Sequence, residues 1–309
     1  MYRRILVPLD GSDASRAAVV FAEQLSCEHL VLLRVEADRH LQVLPGLSGA
    51  DTEWKNRHAE RIHGELESVA EPLRQRGRTV EVEVRFGDVA GQIIDAARSA
   101  ELIVMTTHGR GAAGRAIFGS MADRVARHGT TPTLLLRRGA HATAQATPRR
   151  VVVPLDGSAL AERAIPEAEK LARTLEVPVH LVRAVDLDQV VAMLRERAPV
   201  GAAPAPGGDD PYEGARLEAE QQAATYLEEQ ASAPWAEGLN VDTEVLKGTP
   251  AFVMLWSLKP DDVVVMTTHG LGGYRRWAIG SVAEKLIRES PGPVLLVRDA
   301  ASNGQALAE

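Results

Sequence analysis

Residues 3–12 read RRILVPLDGS and residues 149–158 read RRVVVPLDGS, identical at eight of ten positions and offset by 146. VMTTHG at 104–109 returns unchanged at 265–270, offset by 161. Gly119-Ser120 returns at that second offset as Gly280-Ser281. So does Pro132-Thr133-Leu134-Leu135-Leu136-Arg137, as Pro293-Val294-Leu295-Leu296-Val297-Arg298. The chain is one unit written twice. A period this long means tandem domains, because solenoid repeats run about 20–50 residues. The second offset exceeds the first by 15, which places that many extra residues between PLD and HG of the second copy.

Each copy alternates short apolar runs with helical patterns. Arg4–Leu9 suits a buried parallel strand. Ser12 is placed to cap a helix with Ala14, Ala17, Ala18, Phe21 and Leu25 on one face. Leu30–Val35, Thr79–Phe86, Leu102–Thr107 and Thr133–Arg137 read as further strands. Thr52–Gln75, Val89–Ala97 and a stretch from Ser120 to about His128 read as helices. Second-copy strands fall near Val151–Leu155, Val179–Ala184, Asn240–Leu246, Val263–Thr267 and Val294–Arg298. Strands alternating with helices imply an α/β fold, a doubly wound parallel sheet in each copy. The expected domains are 1–138 and 149–299, joined by a linker over 139–148. The extra residues fall at Ala198–Gly214, where four prolines and four glycines leave no room for a regular element, so a loop is expected there.

A length of 309 residues agrees with two domains. Charged residues at 25% and hydrophobic ones at 45% are the balance of a globular protein. A net charge of −7 disfavours nucleic acid as a partner, because phosphate neutralisation dominates such binding. Four residues each of Phe, Tyr and Trp leave little for stacking unpaired bases. The single cysteine, Cys27, excludes an internal disulfide and reads as a small residue in a helix. No apolar run is long enough for a membrane span or a signal peptide, so a cytoplasmic protein without membrane partners is expected.

In open parallel sheets ligands bind beyond the carboxyl ends of the strands, where strand order reverses. Asp10 and Asp156 end the first strands, and MTTHG ends the fourth. The glycines of Gly109-Arg110-Gly111-Ala112-Ala113-Gly114-Arg115 let backbone approach a ligand. The helix opening at Ser120 offers unpaired N–H groups to an anion. Ser120 and Ser281 can add hydroxyls, and Arg115 and Arg276 can meet a phosphate charge. Asp10 and Asp156 have two open readings: accepting from an exocyclic amine or helping hold a metal, or a turn and cap role beside Gly11 and Gly157. His108 and His269 lack a recurring nucleophile and carboxylate and read as turn residues rather than catalytic ones. No Walker A or dinucleotide glycine pattern occurs, and no metal-site histidine spacing.

Strand-PLD-helix, then MTTHG, nine residues, Gly-Ser, a helix and P-x-L-L-x-R resembles the universal stress protein family over essentially the whole chain. The family's nucleotide signature is G-x-x-G-x(9)-G-[ST]. Gly109 with Gly119-Ser120, and Gly270 with Gly280-Ser281, match its second part. Thr106 and Thr267 stand where its first glycine belongs. The resemblance implies five-stranded parallel sheets of order 3-2-1-4-5 with helices on both faces. It also implies ATP as bound ligand, with Mg²⁺ on its phosphates. By resemblance, adenine packs at Pro8, Leu9, Asp10 and Val35, and at Pro154, Leu155, Asp156 and Ala184, where the smaller Ala184 grips it less. Met105 and Met266 precede the signature. Phosphate contacts match Gly109, Arg110, Gly119, Ser120 and the Met121 amide, and Gly270, Gly280, Ser281 and Val282. Family members commonly dimerise through the last strand. A tandem chain can make that pairing internally, Thr133–Arg137 beside Val294–Arg298, with a homodimer of whole chains a further option.

The expected function is a nucleotide-binding regulator of the stress response that hydrolyses ATP slowly at most, because no general base stands near the loop. The alternative is a partner-binding scaffold without nucleotide affinity, motivated by Thr106 and Thr267. An ATP-cleaving enzyme of the pyrophosphatase type is the remotest reading: Asp10-Gly11-Ser12-Asp13-Ala14-Ser15 only faintly matches the S-G-G-x-D-S loop. Calorimetry on Thr106→Gly separates the first two. No large gain in ATP affinity is expected, and a large gain would favour the scaffold.

Overall fold

The structure is a computed structural model that describes residues 1–37, 48–107, 119–137, 147–197, 212–268 and 279–298. Strand β1 (Tyr2–Pro8) leads through α1 (Asp13–Glu23), β2 (Cys27–Glu36), α2 (Ser48–Gln75), β3 (Val80–Phe86) and α3 (Val89–Ala97) to β4 (Leu102–Thr106), α4 (Ser120–His128) and β5 (Thr133–Leu136). The second half opens with β6 (Arg150–Pro154), α5 (Ala159–Glu162), α6 (Ile165–Leu175) and β7 (Val179–Val185). It continues through α7 (Leu187–Arg197), α8 (Glu213–Ala231), β8 (Val241–Lys247) and α9 (Pro250–Ser257) to β9 (Asp262–Thr267), α10 (Ser281–Glu289) and β10 (Val294–Val297).

The ten strands form one sheet of order β3-β2-β1-β4-β5-β10-β9-β6-β7-β8. Read inward from either edge, each half has the expected 3-2-1-4-5 order with parallel neighbours. The halves meet through β5 and β10, which pair antiparallel with Val294 opposite Leu135 and Leu295 opposite Leu134. This is the internal last-strand pairing that the sequence resemblance implies.

Side-chain alternation divides the core into two layers. Ile5, Val7, Leu30, Leu32, Val104 and Leu134 pack with Phe21 of α1 and Ile62 of α2 on one face. Leu6, Val31, Leu33, Ile103 and Leu135 pack with Ile93 of α3 and Val125 of α4 on the other. The second half divides the same way, so each layer runs through both halves. Strands buried on both sides need apolar residues at consecutive positions, which is why β4 and β5 read LIVMT and TLLL.

Three sequence expectations change. Cys27 begins β2 and is half-buried, because the preceding helix ends at Glu23. Burial pushes its thiol up from the ordinary value, against the nearby Arg78 charge. In α1 the buried face is Ser15, Ala17, Ala18, Val19, Phe21 and Ala22; Ala14 is only half-buried, and Leu25 packs from beyond the helix end. Of the loop expected at 198–214, Glu213 and Gly214 form the first turn of α8, where an acidic residue suits the positive helix end; residues 198–211 lie outside the described residues, as do 139–146 of the linker.

One polar network ties the halves on the α1 face. The Tyr2 hydroxyl, fully buried, donates to Glu167 Oε1 of α6 at 2.7 Å. The Lys170 ammonium stands 4.3 Å from the Tyr2 ring centre and donates to Glu101 Oε2 at 2.8 Å. Arg3 adds its backbone N–H and its Nε to the same carboxylate, at 2.9 and 2.8 Å. Burial alone would raise the Glu101 carboxyl; these donors reverse that and hold it at about 2. Burial pushes the Glu167 carboxyl up instead, against its bond from Tyr2.

Because the Glu101 carboxyl lies below its ordinary 4.5, its contribution to stability is complete above that pH and is lost as pH falls toward about 2. Urea midpoints measured down that range are expected to fall more steeply for the wild type than for Glu101→Gln. Glu167, shifted upward, acts in the opposite sense and remains in both proteins.

Candidate functional site

In each half the first and fourth strands are neighbours whose connections leave toward opposite faces. β1 runs to α1 on one layer and β4 runs toward α4 on the other. A crevice at the carboxyl ends of such strands is where parallel sheets hold ligands. The structure brings Pro8, Leu9, Asp10, Val35, Met105, Thr106, Gly119, Ser120 and Met121 to this end of the first half. Pro154, Leu155, Asp156, Ala184, Met266, Thr267, Gly280, Ser281 and Val282 gather at the corresponding end of the second. His108, Gly109, Arg110, Arg115, His269, Gly270 and Arg276 lie outside the described residues.

The turn after β1 is built by its own side chains. Asp10 Oδ1 accepts from the Ser12 N–H at 2.9 Å and from its hydroxyl at 2.5 Å. Ser12 Oγ then accepts from the Ser15 N–H at 3.2 Å, capping α1 as the sequence predicts. The second half repeats this: Asp156 Oδ1 accepts from the Ser158 N–H at 2.9 Å and its hydroxyl at 2.6 Å, and Ser158 Oγ caps α5. Gly11 and Gly157 have φ of 77° and 85°, the left-handed region where a side chain is strained. The turn reading of both aspartates is therefore realised. Leu9 and Leu155 bury their side chains in the α1-face layer, and their N–H groups bond Leu33 and Val182 carbonyls at 2.8 Å, which closes the sheet below the turn.

At the end of the neighbouring strand β4 stands the start of α4. The Gly119 N–H donates to the Thr107 carbonyl at 2.5 Å, and the Gly280 N–H to that of Thr268 at 2.8 Å, so each helix start is tied to its strand end. Among the described residues neither helix start has a side-chain cap, and its first-turn N–H groups carry the positive end of the helix dipole. Gly119 and Gly280 have φ of −47° and −62°, which any residue adopts. Backbone freedom is therefore not what requires glycine there. Ser120 and Ser281 are exposed at the first helical position, while Met105 and Met266 are buried in the layer beneath. Thr106 is half-buried at its strand end, and Thr267 is buried. Val35 and Ala184 are half-buried on the same layer as the methionines.

The sequence did not single out the residues before Val35 and Ala184. Arg34 donates from Nε to Glu36 Oε1 at 2.7 Å. Its counterpart Arg183 faces the ring of Tyr226 in α8, 4.9 Å from the ring centre. The Tyr226 hydroxyl donates to Glu162 Oε1 at 2.9 Å, and burial with that carboxylate holds the phenol well above its usual range. The only sequence signal for this pair is an arginine at the same place in both repeats. Tyr226 is distant in the chain and sits on a helix from the inserted region.

The universal stress protein family model matches residues 1–137 and again 147–298. A universal stress protein of Mycolicibacterium smegmatis is 28% identical over 305 residues, which cover 95% of this chain and 96% of that one. A universal stress protein of Methanocaldococcus jannaschii is 30% identical over 152 residues, covering 48% of this chain and 82% of that protein. The crystal structure of a universal stress protein from Archaeoglobus fulgidus superposes with a TM-score of 0.65 at 21% identity, covering 96% of this chain and 98% of that one.

The two serines of each half have different tasks. Ser12→Ala removes a helix cap and is expected to cost about 1 kcal/mol in urea unfolding. Ser120→Ala removes no cap and should leave ligand-free stability within about 0.5 kcal/mol.

Proposed function

The chain belongs to the universal stress protein family, as a tandem of two such units, and from that premise we propose that it is an ATP-binding regulatory protein of the stress response which hydrolyses nucleotide slowly or not at all. The observation that carries this reading is the same constellation kept twice. A helix start with a glycine cap residue, Gly119-Ser120 or Gly280-Ser281, and an Asx turn, Asp10 or Asp156, lie at the ends of neighbouring strands at the switch point of a parallel sheet. The helix end suits phosphate, and the half-buried Pro8 and Val35 beside the turn suit a flat base.

In this reading adenine lies against Pro8, Asp10 and Val35, with Pro154, Asp156 and the less enclosing Ala184 in the second half. Gly109, Arg110, Gly119, Ser120 and the Met121 amide take the phosphates, with Arg115 in reach of their charge. Gly270, Gly280, Ser281, Val282 and Arg276 do so in the second half. Mg²⁺ rides on the phosphates rather than in a protein cage. The units run over 1–138 and 149–299, in a cytoplasmic protein whose partner reads nucleotide occupancy. A scaffold that holds no nucleotide is the second reading, favoured by Thr106 and Thr267 where the family signature has glycine.

Freshly purified protein is denatured and any released nucleotide is identified by mass and counted per chain. ATP at one or two per chain is expected. No nucleotide, followed by no heat on titrating ATP with Mg²⁺, would overturn this reading and favour the scaffold.

A further inference from the structure

Arg34 and Arg183 hold the same place in the two halves. Pro8 stands opposite Leu33 and Pro154 opposite Val182, and each arginine follows. Their surroundings differ. Arg34 is 8% exposed and its charge is met by Glu36. Val185 stands where Glu36 would, so the second half has no carboxylate at that place. Arg183 is half-buried and makes no hydrogen bond or ion pair among the described residues. Its guanidinium is held between the Tyr226 ring and Gly157, where its atoms come within 3.1–3.3 Å of the place a β-carbon would occupy. Two nearby acids have other hydrogen-bond donors: Asp156 accepts from Ser158, and Glu162 from Tyr226.

A guanidinium carries five N–H donors in a rigid fork that matches a phosphate or carboxylate edge, and it does not shed its charge. Contact with the tyrosine ring and with the glycine turn restrains the fork without using its donors. The Gly157 turn limits Arg183 on one side, and Leu181 of the same strand face packs in the core below.

We propose that Arg183 is an oxyanion-binding residue, forming a phosphate subsite on the α8 side of the Asp156–Ser158 turn. It adjoins the candidate nucleotide site of the second half and is distinct from the Gly280-Ser281 helix start. Its ligand is a phosphate group, free or carried by a nucleotide; only the second source rests on the ATP-binding reading above. The first half has no such subsite, because Glu36 has neutralised its arginine.

The test follows the arginine Nε–Hε resonances of the full chain by NMR, during titration with inorganic phosphate and separately with ATP. Phosphate is expected to shift the Arg183 resonance and the Gly157 and Ser158 amides, and to leave Arg34 unmoved. Arg183→Gln is expected to weaken phosphate binding about tenfold or more, with Arg183→Lys between the two. If ATP moves Arg183 as well, the phosphate is the nucleotide's; if phosphate alone does, the ligand is the free ion. An Arg183 resonance indifferent to both would overturn the proposal, as would an equal shift with sodium chloride at matched ionic strength. If ATP binds nowhere while phosphate still shifts Arg183, the nucleotide reading fails and the subsite stands.

Discussion

Two short strands, Thr133–Leu136 and Val294–Val297, pair antiparallel at the centre of the ten-stranded sheet, and both are buried along their whole length. Each half ends its sheet with such a strand, and alone it would present an apolar edge with open backbone groups. That is the arrangement that invites uncontrolled pairing. Joining the two edges removes both liabilities at once. It also merges the side-chain layers of the halves, so Leu134 and Leu295 belong to one cluster and Leu135 and Leu296 to the other. The outer edges that remain, β3 and β8, read VEVEVRF and VDTEVLK, and their repeated carboxylates discourage further pairing.

Antiparallel joining of two parallel sheets sets where the sites lie. The carboxyl ends of β1 and β4 point one way along the sheet, and those of β6 and β9 point the other. The two candidate sites therefore lie at strand ends of opposite sense within one sheet. The halves are nonetheless bound by more than the central strands. Tyr2, Lys170 and Glu101 bridge them on one face, and Arg298 reaches from the end of β10 to the Ala126 carbonyl in the last turn of α4 at 3.3 Å. A cation at that helix end is favourable for the dipole whose other end is the candidate phosphate site.

The halves repeat a backbone more faithfully than they repeat a charge pattern. Both turns use aspartate, glycine and serine in the same way, and both helix starts are uncapped. Around that shared frame, Arg34 has a carboxylate two residues on and Arg183 has a valine. The long α2 of the first half is replaced by α7 and α8, and α8 supplies the Tyr226 on which Arg183 rests. The second half thus diverges beside its turn, while the turn and the helix start remain as they are in the first.

Much of this was legible in the chain itself. Identical PLDGS and TTHG segments announced two copies of one unit. Continuous apolar runs announced strands buried on both faces, and Ser12 announced a cap, because these depend on neighbours in sequence. Element ends and the place of Cys27 were less legible, since a short helix stops where packing of Leu25 requires. The join of β5 to β10 came only from family resemblance, because strand edges carry no label of their partner. The meeting of Arg183 with Tyr226 and Gly157 was not legible at all. It depends on three segments far apart in the chain that only the folded sheet and its covering helix bring within contact, and on a missing carboxylate that matters only once those neighbours are in place.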